Sequence, residues 1–263
     1  MYLLSLFYLS ALINPHVCST CPPDFRIENE GVCIVVGRYI SNFCAAADYC
    51  ALYGQRRHQL VYLIGRNIRR IPRRMTGARS FQTGLNFLLE PPNMGTPVWR
   101  DLDPNDPEYT ATKNDVRYVN RTTQLSSQDI SLWLRDVTVL RNVPRFTRRH
   151  RTRTICEYGG NLPDGHLKVR FLSNFPKPLS VLVHSEGSLS GCEHVVAART
   201  KLDCARRCAL EPACRSIYYD SGSNSCVHMM HADSLLSLSG AKRGSGWVRF
   251  ARTSVAMNMN GEK

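Results

Sequence analysis

Cysteine is the residue type whose number and spacing promise the most chemistry here, with eleven in a chain of 263 residues. Thiols at that density form disulfides in an oxidising compartment or ligate a metal. Their placement is uneven. Cys18, Cys21, Cys33, Cys44 and Cys50 come early, Cys156 stands alone, and Cys192, Cys204, Cys208, Cys214 and Cys226 form a late group. The late group lacks the paired Cys-x-x-Cys spacings of a structural zinc site, so disulfides are the stronger reading.

The N-terminus bears on the same choice. Met1–Ile13 is an apolar run, shorter than the roughly 20 residues that a bilayer requires but matching the core of a secretory signal. Val17-Cys18-Ser19 offers small residues for cleavage, and a cut after Ser19 removes Cys18 and leaves an even number of cysteines. The sequence therefore predicts a signal peptide over 1–19 and a secreted, disulfide-bonded product. A buried N-terminal helix or an uncleaved anchor is the alternative. No later stretch is long and apolar enough to predict a membrane span, and the tail 254–263 is polar.

Hydrophobic residues at 43% and charged residues at 21% exclude wholesale disorder. Thirty-four Lys and Arg against 21 Asp and Glu give +13, a surplus that favours anionic partners. The surplus is concentrated. No acid occurs between Tyr49 and Leu89, where Arg56, Arg57, Arg66, Arg69, Arg70, Arg73, Arg74 and Arg79 lie. A second acid-free stretch holds Arg141, Arg145, Arg148, Arg149, Arg151 and Arg153. Guanidinium forks suit sulfate and carboxylate, so Arg69, Arg70, Arg73, Arg74, Arg145, Arg148, Arg149, Arg151 and Arg153 are the candidate polyanion (heparin-type) site. The plain alternative is a solvated basic surface. The secretory signal argues against nucleic acid.

The elements that position the late cysteines are readable. Thr200 to Asp203 has the form of a helix start, with a hydroxyl to accept an early amide and an acid three residues on. The helix runs to about Leu210, because Pro212 cannot continue it. Cys204 and Cys208, at i and i+4, share its face. Ile217-Tyr218-Tyr219 reads as a strand, Asp220-Ser221-Gly222 as a turn, Cys226 as the opening of a next strand, and Trp247–Phe250 as a closing strand. Of three possible pairings, the geometry favours Cys204–Cys226 and Cys208–Cys214. Two bridges explain how about 75 residues with few large apolar groups hold together.

Gly191-Cys192-Glu193 and the run DCARRCALEPACRSIYYDSGSNSC from Asp203 to Cys226 resemble the PAN/apple domain. The resemblance implies a compact extracellular module, a helix on a small antiparallel sheet, that binds proteins or carbohydrates and has no catalytic residues. No cysteine follows Cys226, so Cys192 lacks the late partner that some members of the family provide.

In the first half, Cys21-Pro22-Pro23 and Gly31-Val32-Cys33 can close a short hairpin. Phe43, Ala46 and Cys50 fall on one helical face, with Gly54 as a C-terminal cap. Phe81–Leu85, Trp99, Tyr109, Leu132–Asp136 and Thr154–Glu157 follow. In order and spacing these resemble a long-form C-type lectin-like domain over 20–158, which implies bridges Cys21–Cys33 and Cys50–Cys156. The family's calcium-dependent sugar site needs Glu-Pro-Asn or Gln-Pro-Asp and Trp-Asn-Asp triplets, which supply hard oxygen ligands. Neither occurs between Trp99 and Cys156. Glu90-Pro91-Pro92-Asn93 carries an extra proline, and Asp101, Asp103, Asp106 and Glu108 read as solvated turn residues rather than a cation site.

The expected fold class is thus α+β, two small disulfide-bonded domains. The lectin-like domain spans 20–158, a turn-rich linker 159–178, the PAN/apple domain 179–253 and a flexible tail 254–263. Cys44 and Cys192 remain unassigned: they bridge the domains, pair between chains, or stay free. Asn120-Arg121-Thr122 is a glycosylation acceptor. His228 and His231, with no third ligand near, read as surface residues, so no metal is expected, and no cofactor. No nucleophile elbow, phosphate loop or metalloprotease helix is present, which points away from an enzyme. The expected partner is a glycan or glycosaminoglycan bound without calcium, or an extracellular protein.

Overall fold

Two sheets, each with one helix laid against it, organise the chain. The computed structural model describes residues 21–27, 31–40, 42–71, 80–90, 98–111, 131–135, 140–142, 152–164, 167–184, 191–237, 246–253 and 257–258.

The first sheet contains β1 (Arg26–Ile27), β2 (Cys33–Ile40), β3 (Gln59–Leu63), β4 (Ser80–Asn86), β5 (Ser131–Arg135), β6 (Leu140–Asn142) and β7 (Thr152–Asn161). Its order is β1-β2-β7-β4-β5-β6, with β3 also paired to β7. β7 is the spine: β2 and β3 run antiparallel to it and β4 parallel. Thr154, Ile155, Cys156 and Glu157 in it are consecutively buried, as a strand flanked on both edges and covered on both faces must be. Helix α1 (Phe43–Gln55) starts at Asn42, whose side-chain oxygen accepts from the Ala45 amide at 3.2 Å. Phe43, Ala46 and Cys50 are buried, and Cys50 is bridged to Cys156. Gly54 is not the helix cap that the sequence suggested. The helix continues through it to Gln55, and an added Cβ would approach the Gln59 carbonyl to 2.5 Å. The glycine serves the close approach of helix and strand.

The second sheet has the order β11-β13-β12-β15-β9, formed by β9 (Phe171–Leu172), β11 (Cys192–Ala197), β12 (Cys214–Asp220), β13 (Ser225–Met230) and β15 (Trp247–Arg252). Short pairs join β8 (Leu167–Lys168) to β16 (Met257–Asn258), and β10 (Val183–His184) to β14 (Leu236–Ser237). Helix α2 (Lys201–Leu210) begins at Thr200, whose hydroxyl accepts from the Asp203 amide at 3.1 Å. It packs Cys204 and Cys208 inward, bridged to Cys226 and Cys214.

Two expected boundaries change. The 159–178 segment is not a free connector: β7 extends to Asn161, and Phe171 and Leu172 pair with Arg252 and Ala251 of β15. β15 is therefore an inner strand, not the closing one. The tail expected to be flexible from residue 254 contributes Met257 and Asn258, opposite Lys168 and Leu167. Turn-forming residues set where the chain bends, and do not prevent the segments between them from pairing. Cys21 is joined to Cys33, and Cys44 to Cys192 across the two sheets. Among the described residues no helix is long and apolar enough to cross a membrane. Residues 1–19, Arg73, Arg74, Asn120, Arg145, Arg148, Arg149 and Arg151 lie outside the described residues.

Candidate functional site at the seam between the sheets

The seam is held by a disulfide bridge, a histidine–carboxylate contact, a backbone hydrogen bond and an ion pair. Cys44 on α1 and Cys192 on β11 have Cα atoms 5.5 Å apart. His231 places Nε2 2.6 Å from Oδ1 of Asp48, also on α1. The Leu235 amide donates to the Leu88 carbonyl at 3.0 Å, and the Lys177 ammonium to buried Glu90 at 2.5 Å. Cys192 and Ala232 join the apolar core of the first sheet. The surfaces therefore interlock.

A groove of about 340 Å³ runs along this seam, within the usual size range of ligand pockets, about 300–1,000 Å³, and at a usual place for one. Its polar walls come from both sides: Asp48, Gln55 and Gln59 from the first half, His194, Glu211 and His231 from the second. Leu60, Val61 and Met230 supply apolar surface. The hydrogen bond from His231 holds the Asp48 carboxyl below the usual carboxylate range, with partial burial opposing. Oε1 of Gln59 is buried without a partner among the described residues. A second, smaller cavity adjoins, sharing Leu102, Arg215 and His231 with the groove. Arg215 donates from Nε to the His231 carbonyl and from Nη1 to the Pro212 carbonyl, both at 3.1 Å. Burial pulls it down to about 9, and the like charge of Arg252 adds to this.

Within the acidic segment Glu108 is exposed, as expected of a solvated turn residue, but Asp101, Asp103 and Asp106 are engaged by Arg66. The Arg66 amide donates to Asp101 at 2.9 Å, and its guanidinium reaches Asp103 at 3.0 Å and also Asp106. The guanidinium also sits over the Tyr109 ring at 4.6 Å. The Asp101 side chain is 1% exposed, and Gly65 makes room for it: an added Cβ would lie 1.7 Å from Oδ1. Burial raises Asp101 to about 6. Glu157, raised by burial to about 7, accepts from the Asn67 amide at 2.5 Å. The cation these carboxylates hold is the protein's own arginine.

The candidate polyanion residues fare unequally. Arg70 is exposed at the end of the 3₁₀ turn Arg66–Arg70 that also carries Arg69. Arg153 is half-buried in β7, donating to the Gly37 carbonyl at 3.4 Å and lying over the Tyr39 ring at 5.8 Å. It is part of the sheet's packing. His228 and His231 are not surface residues: they are 3% and 6% exposed. His228 contacts the Cys204 carbonyl at 3.1 Å, and burial lowers its pKa. The thiols nearest it, Cys204 and Cys226, are joined to each other and so are not thiolate ligands. Sequence reasoning missed Asp48, Gln59 and Arg215 as groove residues, because their meeting depends on contacts between distant segments.

No curated protein matches the chain. Residues 182–246 match the family model of the PAN domain. That span contains α2, β11, β12 and β13 with the bridges Cys204–Cys226 and Cys208–Cys214. Residues 182–246 are therefore a PAN domain, a module of protein and carbohydrate interaction.

Proposed function

We propose that this is a secreted, non-enzymatic recognition protein, a lectin-like domain followed by a PAN domain, which binds a glycan in the groove between them without calcium. The observation that carries the reading is the groove itself, in whose wall the Gln59 amide oxygen is buried with no partner among the described residues. A buried acceptor without a partner is costly, and a sugar hydroxyl is a donor of the right kind. Asp48, His194, Glu211 and His231 add donors and acceptors beside apolar surface, which suits a ring with a polar rim and apolar faces. Arg66 occupies the Asp101, Asp103 and Asp106 carboxylates, so that acidic cluster is engaged by the protein's own cation rather than open to calcium. Five disulfides support an oxidising, extracellular setting. A glycan array run with and without chelator, beside an affinity pull-down, tests the reading. Binding on the array that persists in chelator supports it.

A second reading, a protein partner in an extracellular layer or host-contact surface, is favoured by an edge of the PAN domain that no strand among the described residues covers. β11 is an outer strand and Val195 on it is 71% exposed, the form that accepts an added strand. A blank array with a specific protein in the pull-down selects that reading.

A further inference from the structure

Away from the groove, one face of the first half carries arginines held over tyrosine rings. The Arg38 guanidinium lies 5.2 Å from the Tyr49 ring centroid, that of Arg153 5.8 Å from Tyr39, and that of Arg57 4.0 Å from Tyr53. One backbone position ties the first two pairs together. Gly37 leaves room for the Tyr49 ring, which an added Cβ would meet at 2.4 Å, and its carbonyl accepts from Arg153 Nε at 3.4 Å. On α1, Tyr49, Tyr53 and the C-terminal cap residue Arg56 fall at i, i+4 and i+7, on one side of the helix. The acids of these elements are engaged elsewhere. Asp24 is paired with Arg57, Asp164 with His58, and Asp48 with His231 on the groove side. β2 contains no acid, and Glu157 in β7 is buried and bound by Asn67. Among the described residues Arg38, Arg56 and Arg153 therefore have no carboxylate partner, and Arg38, Arg56 and Tyr39 are exposed. None of these face residues lines the groove.

We propose that this face, from Tyr39 and Arg153 through Arg38 and Tyr49 to Arg56, binds a sulfated polysaccharide. A guanidinium held over a ring uses none of its N–H donors there, so its planar fork stays open to a sulfate in a charge-assisted pair. The tyrosine rings offer apolar contact to sugar rings and a hydroxyl at the edge. Charge complementarity selects the partner: three cations without carboxylates on one face suit a chain of repeated anions. Of these arginines only Arg153 belongs to the candidate polyanion set read from the sequence. The inference goes beyond the glycan groove and does not depend on it, because the two surfaces share no residue.

Fluorescence anisotropy of the oxidised full chain with a fluorescein-labelled heparin oligosaccharide tests it. The wild type should bind with a steep salt dependence, and desulfated heparin should not compete. Arg38→Ser with Arg56→Ser should weaken binding at least about tenfold and lower the log–log salt slope by about two, one for each lost contact. Arg199→Ser with Arg206→Ser removes the same charge from exposed positions of the PAN domain, and should weaken binding by less than about threefold, as screened distant charges do. Arg38→Lys keeps the charge but not the fork, and should weaken binding at an unchanged slope. Near-ultraviolet circular dichroism checks the fold of each variant, and Arg56→Ser alone serves if the double variant does not fold. Equal losses in the two double variants would reduce the effect to general positive charge and overturn the proposal. Equal competition by desulfated heparin, or tighter binding of a polyglutamate peptide than of heparin, would overturn it as well.

Discussion

His231 and Asp48 meet across the seam at 2.6 Å although 183 residues separate them in sequence. The imidazole is almost wholly buried, whereas the carboxylate is 61% exposed, so solvent screens the pair and its energetic share is small. Its value is positional: it fixes the wall of the groove. Because the Asp48 pKa is lowered in the fold, this contribution is present above the usual carboxylate range and fades as pH falls through the depressed value.

Glu157 titrates with the opposite sign. Its carboxyl rises from 4.5 to about 7 in the fold, so between those values the native state keeps a proton that the unfolded chain releases. The stabilisation is full below the unfolded value and is lost as pH rises through about 7; Asp101, raised to about 6, acts in the same direction. Melting temperature should therefore fall between pH 5 and pH 8. Glu157→Gln, which preserves the shape, should flatten much of that fall. Parallel curves for the two proteins would contradict the buried-acid account.

The Cys44–Cys192 bridge closes a loop that Cys50–Cys156 already shortens. The effective loop is about 40 residues, nominally worth about 4 kcal/mol in the chain-entropy model. Cys44→Ser with Cys192→Ser should lower stability by up to that amount and make the seam sensitive to protease. Non-reducing peptide mapping of the wild type should recover the Cys44–Cys192 pair. Finding Cys44 in a disulfide between two chains would overturn the seam.

Arg66 should be a sensitive position. The Arg66 side chain is 27% exposed and that of Asp106 45%, so Arg66→Ala should cost less than the roughly 3–5 kcal/mol of a fully buried pair, while leaving Asp101, Asp103 and Asp106 facing one another. Differential scanning fluorimetry should show no calcium effect on the wild type. In Arg66→Ala, calcium should restore part of the lost melting temperature, because hard oxygen ligands have been released. A rise of many degrees in the wild type would mean that calcium displaces the arginine.

What was legible in the sequence was local. The Thr200 cap and the shared face of Cys204 and Cys208 follow from spacings within one helix, and the structure has both. The seam was not legible, because Asp48, Gln59, Arg100 and Arg215 come from segments whose meeting depends on tertiary pairing. Arg66 shows how local composition misleads. It lies in an acid-free stretch and reads as surface charge, yet its carboxylates arrive about 35–40 residues later. Gly159, Gly160 and Pro163 read as linker residues, but the two glycines lie within β7, Gly160 at φ +121° and Gly159 against Tyr62.

The arginine runs can be dissected by the same logic. Arg148, Arg149 and Arg151 changed together to Ser should lower the salt needed for elution from heparin, since counterion release drives such binding. If these residues are the surface charge that the sequence suggests, melting temperature should hardly move, since an exposed pair is worth about 0–1 kcal/mol. Adding Arg153→Ser should lower it, because Arg153 is packed against Gly37 and Tyr39. Elution at unchanged salt in the triple variant would remove this cluster from the polyanion site.

The central claim, a calcium-independent glycan site in the seam, is tested most directly by isothermal titration in chelator. The ligand is the oligosaccharide that binds best on the array, and the proteins are the wild type and Gln59→Leu. The account predicts binding by the wild type in chelator and a loss of about tenfold in Gln59→Leu, the cost of one well-placed hydrogen bond at a buried group. Equal affinity in the two proteins, or binding that vanishes when calcium is removed, would contradict it.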